Sequence, residues 1–130
     1  MPYKILVVDD EPALLRLMEF VLSKEGHTMI TATNGEEALE EARRQRPDLI
    51  VLDIMMPKMD GYQVAEAVRA SADLKDIPII MLSAKAQEED VVRGVEAGVD
   101  RYVTKPFSPE GLTTLVTEFL ASRPAPASSS

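Results

Sequence analysis

Two apolar runs without polar alternation, Ile5-Leu6-Val7-Val8 and Leu49-Ile50-Val51-Leu52, each stop at an acid: Asp9-Asp10 after the first and Asp53 after the second. Such runs predict strands buried on both faces, as in a parallel sheet covered by helices. Between them the period changes. Pro12 stands where a first helical turn tolerates it, and Leu14, Met18, Val21 and Leu22 recur on one helical face up to Gly26. His27 to Thr33 reads as a short strand, and Asn34-Gly35 opens a helix whose Ala38, Leu39 and Ala42 face inward until Pro47 stops it.

The second half repeats the alternation. A helix over Gly61 to Ala70 uses Val64, Ala67 and Val68, and a buried strand runs from Ile77 to Leu82. A helix around Glu88 to Ala97 ends at Gly98, a short strand covers Arg101 to Thr104, and a last helix carries Leu112, Leu115, Val116, Phe119 and Leu120 on one stripe. Five strand–helix alternations predict an α/β domain: one parallel sheet, right-handed crossovers, helices on both faces. Residues 123–130, Arg-Pro-Ala-Pro-Ala-Ser-Ser-Ser, offer nothing larger than alanine to pack and read as a disordered tail or linker remnant after a domain over 1–122.

Composition narrows this picture. With 130 residues and no cysteine, the chain suits one domain with a real core, and it has no disulfide framework, thiolate metal site or thiol nucleophile. The longest apolar run contains Pro78 and is far too short for a membrane span, and Met1-Pro2-Tyr3-Lys4 leads straight into the first strand without a signal peptide, so a cytoplasmic location is expected. A net charge of -8 argues against direct nucleic-acid binding. Arg43, Arg44 and Arg46 sit at a helix end, where cations complement the dipole. His27 reads as a surface or satisfied histidine, and the methionines at 18, 55, 56, 59 and 81 as packing or loop residues.

In an open parallel sheet, ligands bind beyond the carboxyl ends of the strands. Those ends collect Asp9, Asp10, Asp53, Ser83 and Lys105. Three neighbouring carboxylates repel unless a cation compensates, and a hard ion such as Mg²⁺, held by one or two carboxylates with water and a phosphate, answers that need. Calcium would require more oxygen ligands, and no EF-hand spacing is present. A carboxylate beside a metal and a lysine can attack phosphorus to give an aspartyl phosphate.

At these residues the chain resembles a response-regulator receiver domain of two-component signalling, over about residues 3 to 121. The matching motifs are Val7-Val8-Asp9-Asp10-Glu11, Leu52-Asp53-Ile54-Met55-Met56-Pro57-Lys58-Met59-Asp60-Gly61, Leu82-Ser83-Ala84 and Lys105-Pro106-Phe107. The resemblance implies a flavodoxin-like (βα)5 sheet in strand order 2-1-3-4-5, and a signalling domain, not a turnover enzyme. It makes Asp53 the phosphoacceptor, Asp10, Asp53 and the Met55 carbonyl direct Mg²⁺ ligands, and Asp9 a ligand acting mainly through water. Lys105 would hold a phosphoryl oxygen. Ser83 would swing to the phosphate and vacate space for Tyr102, the aromatic switch, although a plain half-buried core tyrosine is the alternative for Tyr102. The implied partners are a sensor histidine kinase or phosphotransfer protein and a downstream effector or fused output domain.

Three other readings compete. A haloacid-dehalogenase phosphatase needs an acid two residues after its nucleophile, where this chain has Met55, and its nucleophile follows the first strand. A flavodoxin needs a Ser/Thr/Gly-rich phosphate loop where this chain has Asp-Asp-Glu-Pro. A receiver-like module that binds partners without phosphorylation differs only in its chemistry. Gly94, Gly98-Val99-Asp100 and Lys105 to Pro109 resemble receivers that dimerise through the last-helix face, but Arg101, Gly111 and Thr113-Thr114-Leu115 depart from their interface pattern, leaving a monomer or a weak phosphorylation-dependent dimer. Bulky Met55 and long Lys85 occupy positions that control water access in the family and imply slow self-dephosphorylation.

Overall fold

The computed structural model describes residues 3–53, 59–83, 98–104 and 108–121, the side chains at 83, 104, 109 and 121 excepted. The elements are β1 (Lys4–Val8), α1 (Pro12–Ser23), β2 (Thr28–Ala32), α2 (Gly35–Gln45), β3 (Leu49–Asp53), α3 (Gly61–Ala70), β4 (Ile79–Ser83), β5 (Arg101–Thr104) and α4 (Pro109–Ala121). The five strands form one parallel sheet in the order β2-β1-β3-β4-β5, as the resemblance implies. The expected helix around 88–97 and the tail lie outside the described residues.

The apolar runs explain the two layers. Along β1 and β3, alternate side chains enter opposite cores: Leu6, Val8, Ile50 and Leu52 pack toward α2 and α3, while Ile5, Val7, Leu49 and Val51 pack toward α1 and α4. All eight are fully buried, and each such side chain contributes about 1.5–3 kcal/mol of transfer free energy. Polar alternation is absent because neither face meets water.

Boundaries shifted in two strands. β2 begins at Thr28 and ends at Ala32, one residue inside the expected range at each end. β4 begins at Ile79, because Leu74 to Ile77 form a turn in which the Ile77 N–H donates to the Leu74 carbonyl at 3.0 Å, and Pro78 has no N–H for a ladder. Ile77 is buried all the same, which is why an apolar count extended the strand over it. In α1, Leu15, Met18 and Leu22 form the buried stripe, with Leu14 and Val21 on its half-buried flanks; Ala67 of α3 is likewise half-buried.

Helix starts are chemically specified. The Asn34 side chain caps α2 by accepting from the Glu37 N–H at 2.9 Å. Glu36 and Glu37 then lie in its first turn and Arg43 and Arg44 in its last, complementing the dipole at both ends. Asp60 and Gln63 form a reciprocal capping box on α3, each side chain accepting from the other's backbone N–H at 2.9 Å. The Asp-x-x-Gln spacing carries that capping signature in the sequence itself.

At the amino-terminal edge of the sheet, Arg69 at the end of α3 closes a clasp. Its guanidinium donates to the carbonyls of Gly98 (2.9 Å), Lys75 (2.9 Å) and Ile77 (2.6 Å) and to Asp100 Oδ2 (2.7 Å). Asp100 Oδ2 also accepts from the Ile79 N–H at 2.8 Å, joining the starts of β4 and β5. Gly98 passes under this arginine at φ +91°, where a Cβ would lie 2.5 Å from Arg69 Cγ.

Candidate functional site

The site is assembled by register. Val8 of β1 lies opposite Leu52 of β3, so the next residues, Asp9 and Asp53, emerge side by side at the carboxyl edge. Asp53 in turn lies opposite Leu82, one residue before Ser83, and Ser83 lies opposite Thr104, one residue before Lys105 in the chain. The structure therefore places the backbone of Ser83 at the same edge. The Ser83 side chain, Met55 and Lys105 lie outside what is described.

Asp9 is fully buried, Asp53 is 4% exposed and Asp10 is exposed. Each offers a carboxylate oxygen within 4.8 Å of the other two. One Asp9 oxygen, Oδ1, accepts from the Glu11 N–H at 2.9 Å, which turns the chain into α1 and fixes that carboxylate. The Asp9 N–H reaches the Ala32 carbonyl at 3.2 Å, tying the same turn to β2.

Like charges at this spacing repel by roughly 3–4 kcal/mol per pair at an effective dielectric of about 20. Such a cluster suits a hard cation. The donors are all carboxylate oxygens, and their span is close to that of two oxygens on opposite sides of one ion, twice a metal–oxygen distance of roughly 2.0–2.5 Å. Mg²⁺ takes one or two carboxylates directly and keeps several waters, through which a third can act, whereas Ca²⁺ takes roughly six to eight oxygens.

Met59, just before α3, lies close against the start of α2. At Gly35, the first residue of α2, an added Cβ would lie 2.5 Å from the Met59 carbonyl oxygen and 2.9 Å from Val64 Cγ2. Only glycine lets this helix end approach Met59 so closely.

Tyr102 on β5 is half-buried against the α2/α3 core. Its hydroxyl lies 3.1 Å from that of Tyr62, a residue of α3 that is 2% exposed. Sequence reasoning passed over Tyr62. A tyrosine directly after a helix-opening glycine carries no periodic signal, and the contact joins residues 40 apart. His27 also departs from expectation. It is half-buried, stacked at a tilt on Tyr3 with ring centroids 6.0 Å apart, and its Nδ1 is buried without a hydrogen-bond partner among the described residues. Burial pushes its pKa below the usual histidine range, and the Glu25 charge pulls it partly back.

A doubly wound parallel sheet with an acid cluster at its carboxyl edge defines a class of α/β domain that handles phosphate and divalent metal at that edge. The comparisons with known proteins narrow the class. The profile of the response regulator receiver domain matches residues 5–117, and the chain belongs to that family. Receiver domains are signalling domains of two-component regulators.

Among similar sequences, the alkaline phosphatase synthesis transcriptional regulatory protein PhoP of Bacillus subtilis is 48% identical over 117 residues, 90% of this chain and 48% of that protein. The probable transcriptional regulator ycf27 of Pyropia yezoensis is 49% identical over 90% of this chain and 47% of its own length. The chain thus spans about half the length of the curated relatives it matches. Among solved structures, the chemotaxis protein CheY4 of Vibrio cholerae superposes with a TM-score of 0.87 at 33% identity, covering 91% of this chain and 98% of that one. A beryllofluoride-activated DrrB receiver domain gives 0.84 at 34% identity, covering 93% and 99%.

No described helix is long and apolar enough to cross a membrane.

Proposed function

We propose that Asp53 is the phosphoacceptor of a two-component phosphorelay, taking a phosphoryl group from the phosphohistidine of a sensor kinase or phosphotransfer protein, or from a small phosphodonor. The observation that carries this reading is the meeting of the Asp53 carboxylate with those of Asp9 and Asp10 within 4.8 Å at the end of a fully buried strand. In the transfer, an Asp53 oxygen forms a bond to phosphorus as the bond to the donor nitrogen breaks, and the imidazole leaves with that electron pair. Asp10, Asp53 and the Met55 carbonyl would hold Mg²⁺ directly, with Asp9 acting through water. The ion, when bound, supplies positive charge against the phosphoryl oxygens.

Lys105 holds a phosphoryl oxygen in this reading, and Ser83 turns its hydroxyl to the phosphate. Phosphate adds about -1.5 to -2 charge and strong acceptor oxygens, and the Ser83 and Tyr102 packing reads that change out to a downstream effector or fused output domain. Residues 1–122 form the receiver and 123–130 a tail or linker. The domain works in the cytoplasm as a monomer or weak phosphorylation-dependent dimer. Met55 and Lys85 make the phosphoryl group long-lived; a Met55→Asn, Lys85→Glu double variant that loses it no faster than the parent would overturn that point.

Incubation with acetyl phosphate and Mg²⁺ tests the central reading. A mass gain of one phosphoryl group is expected, absent without the metal and absent in Asp53→Asn. An unchanged mass in the parent would instead favour a module that binds partners without phosphorylation.

A further inference from the structure

The hydroxyl pair of Tyr62 and Tyr102 has no role in positioning the acid cluster, yet it joins a buried helix residue to the strand that carries the switch. Tyr62 is 2% exposed and packs in the core between α3 and the sheet, so its ring has little freedom to follow Tyr102 if that side chain moves. Tyr102 is half-buried, sits opposite Met81 on β4, and rests on the same core. The two hydroxyls meet at 3.1 Å, either one donating. A Tyr102 that swings outward breaks this bond.

We infer that Tyr62 is a latch that holds Tyr102 in its packed position and so biases the receiver toward the state that phosphate favours. The inference rests on the reading of Tyr102 as the switch. Tyr62 is a positioning residue: it acts on the phosphate site only through Tyr102. By linkage, whatever stabilises the packed Tyr102 tightens the binding of a phosphoryl mimic, by at most the same factor. A single buried hydrogen bond between neutral groups corresponds to about fivefold in such an equilibrium.

The test uses the whole chain, Mg²⁺ and beryllofluoride, with 3-fluorotyrosine ¹⁹F spectra reporting the Tyr102 environment. Tyr62→Phe removes one oxygen and keeps the ring, so the fold is retained. The expected result is a Tyr102 signal shifted toward its solvent-exposed position before any beryllofluoride is added, with half-saturation moved to a higher concentration, by up to about fivefold. Tyr102→Phe should also weaken binding, and the double variant should lose less than the two single losses combined, the signature of a shared bond. Unchanged half-saturation in Tyr62→Phe, or tighter binding, overturns the latch. If the parent binds beryllofluoride but its Tyr102 signal does not respond, the switch reading fails and the latch falls with it. If the parent binds none, the failure lies at the acid cluster, and the inference is overturned at its foundation.

Discussion

β3 carries a buried aspartate at each end, and the two have opposite surroundings. Asp48, just before the strand, is 5% exposed and accepts the Lys4 N–H at 2.9 Å, pinning the start of β1 beside β3. Asp100 does the same for β4, with Arg69 as counter-charge. Asp53, after the strand, is as well buried, but it has two other carboxylates beside it. At the amino end Asp48 and Asp100 complete backbone hydrogen bonds, and Asp100 also pairs with a guanidinium, whereas the acids at the carboxyl end raise the energy of the fold until a cation or phosphate chemistry uses them. Burial alone does not separate the two roles; the sign of the neighbours does.

Exchanging the two ends is the sharpest way to break this contrast. Asp53→Asn should abolish acetyl-phosphate labelling and leave thermal stability equal to or above the parent, since one like charge is gone. Asp48→Ala should keep labelling and lose about 1–3 kcal/mol by leaving the Lys4 N–H without its acceptor, and Asp48→Asn should recover most of that loss. A labelling defect in Asp48→Asn would erase the distinction.

Arg69→Ala removes a charge-assisted clasp from four acceptors, on a side chain only 25% exposed, and about 2–3 kcal/mol should be lost in urea unfolding. Arg69→Lys should rescue little, because an ammonium cannot span the same fork of carbonyls. Smaller still is the effect of metal. Mg²⁺ at about ten times its dissociation constant should stabilise the chain by about 1.4 kcal/mol, and both EDTA and Asp10→Ala should remove that gain while leaving the amino-end contacts intact.

The smallest expected change involves His27, whose pKa is lowered by burial more than Glu25 raises it. The folded state resists the proton that the unfolded chain accepts near pH 6.5, so the unfolded state binds more protons in that window. This contribution is therefore full above about pH 6.5 and lost as pH falls below it, with a slope of at most about 1.4 kcal/mol per pH unit. Urea midpoints at pH 7.5 and 5.5 should converge in His27→Gln.

Much of this molecule could be read from the chain because its strongest signals are local. Unbroken apolar runs gave β1 and β3, and an acid directly after each placed Asp9, Asp10 and Asp53 together once the sheet was parallel. The strand limits at Thr28 and Ile79 depended on ladder hydrogen bonds, which apolarity does not encode. The Arg69 clasp and the Tyr62–Tyr102 pair needed three-dimensional distances between segments dozens of residues apart. Arg69 in particular looked like any basic residue in a last helical turn.

The strand order β2-β1-β3-β4-β5 also has a bearing on how the chain is made. β1, β2 and β3 all lie within the first 53 residues and stand together at one side of the sheet, with β1 between the other two. During synthesis they can pair before β4 and β5 leave the ribosome, with β3 offering its free edge as a template for the rest. The three acids belong to that early half, so the chain meets its own charge repulsion while half of the covering core is still to come.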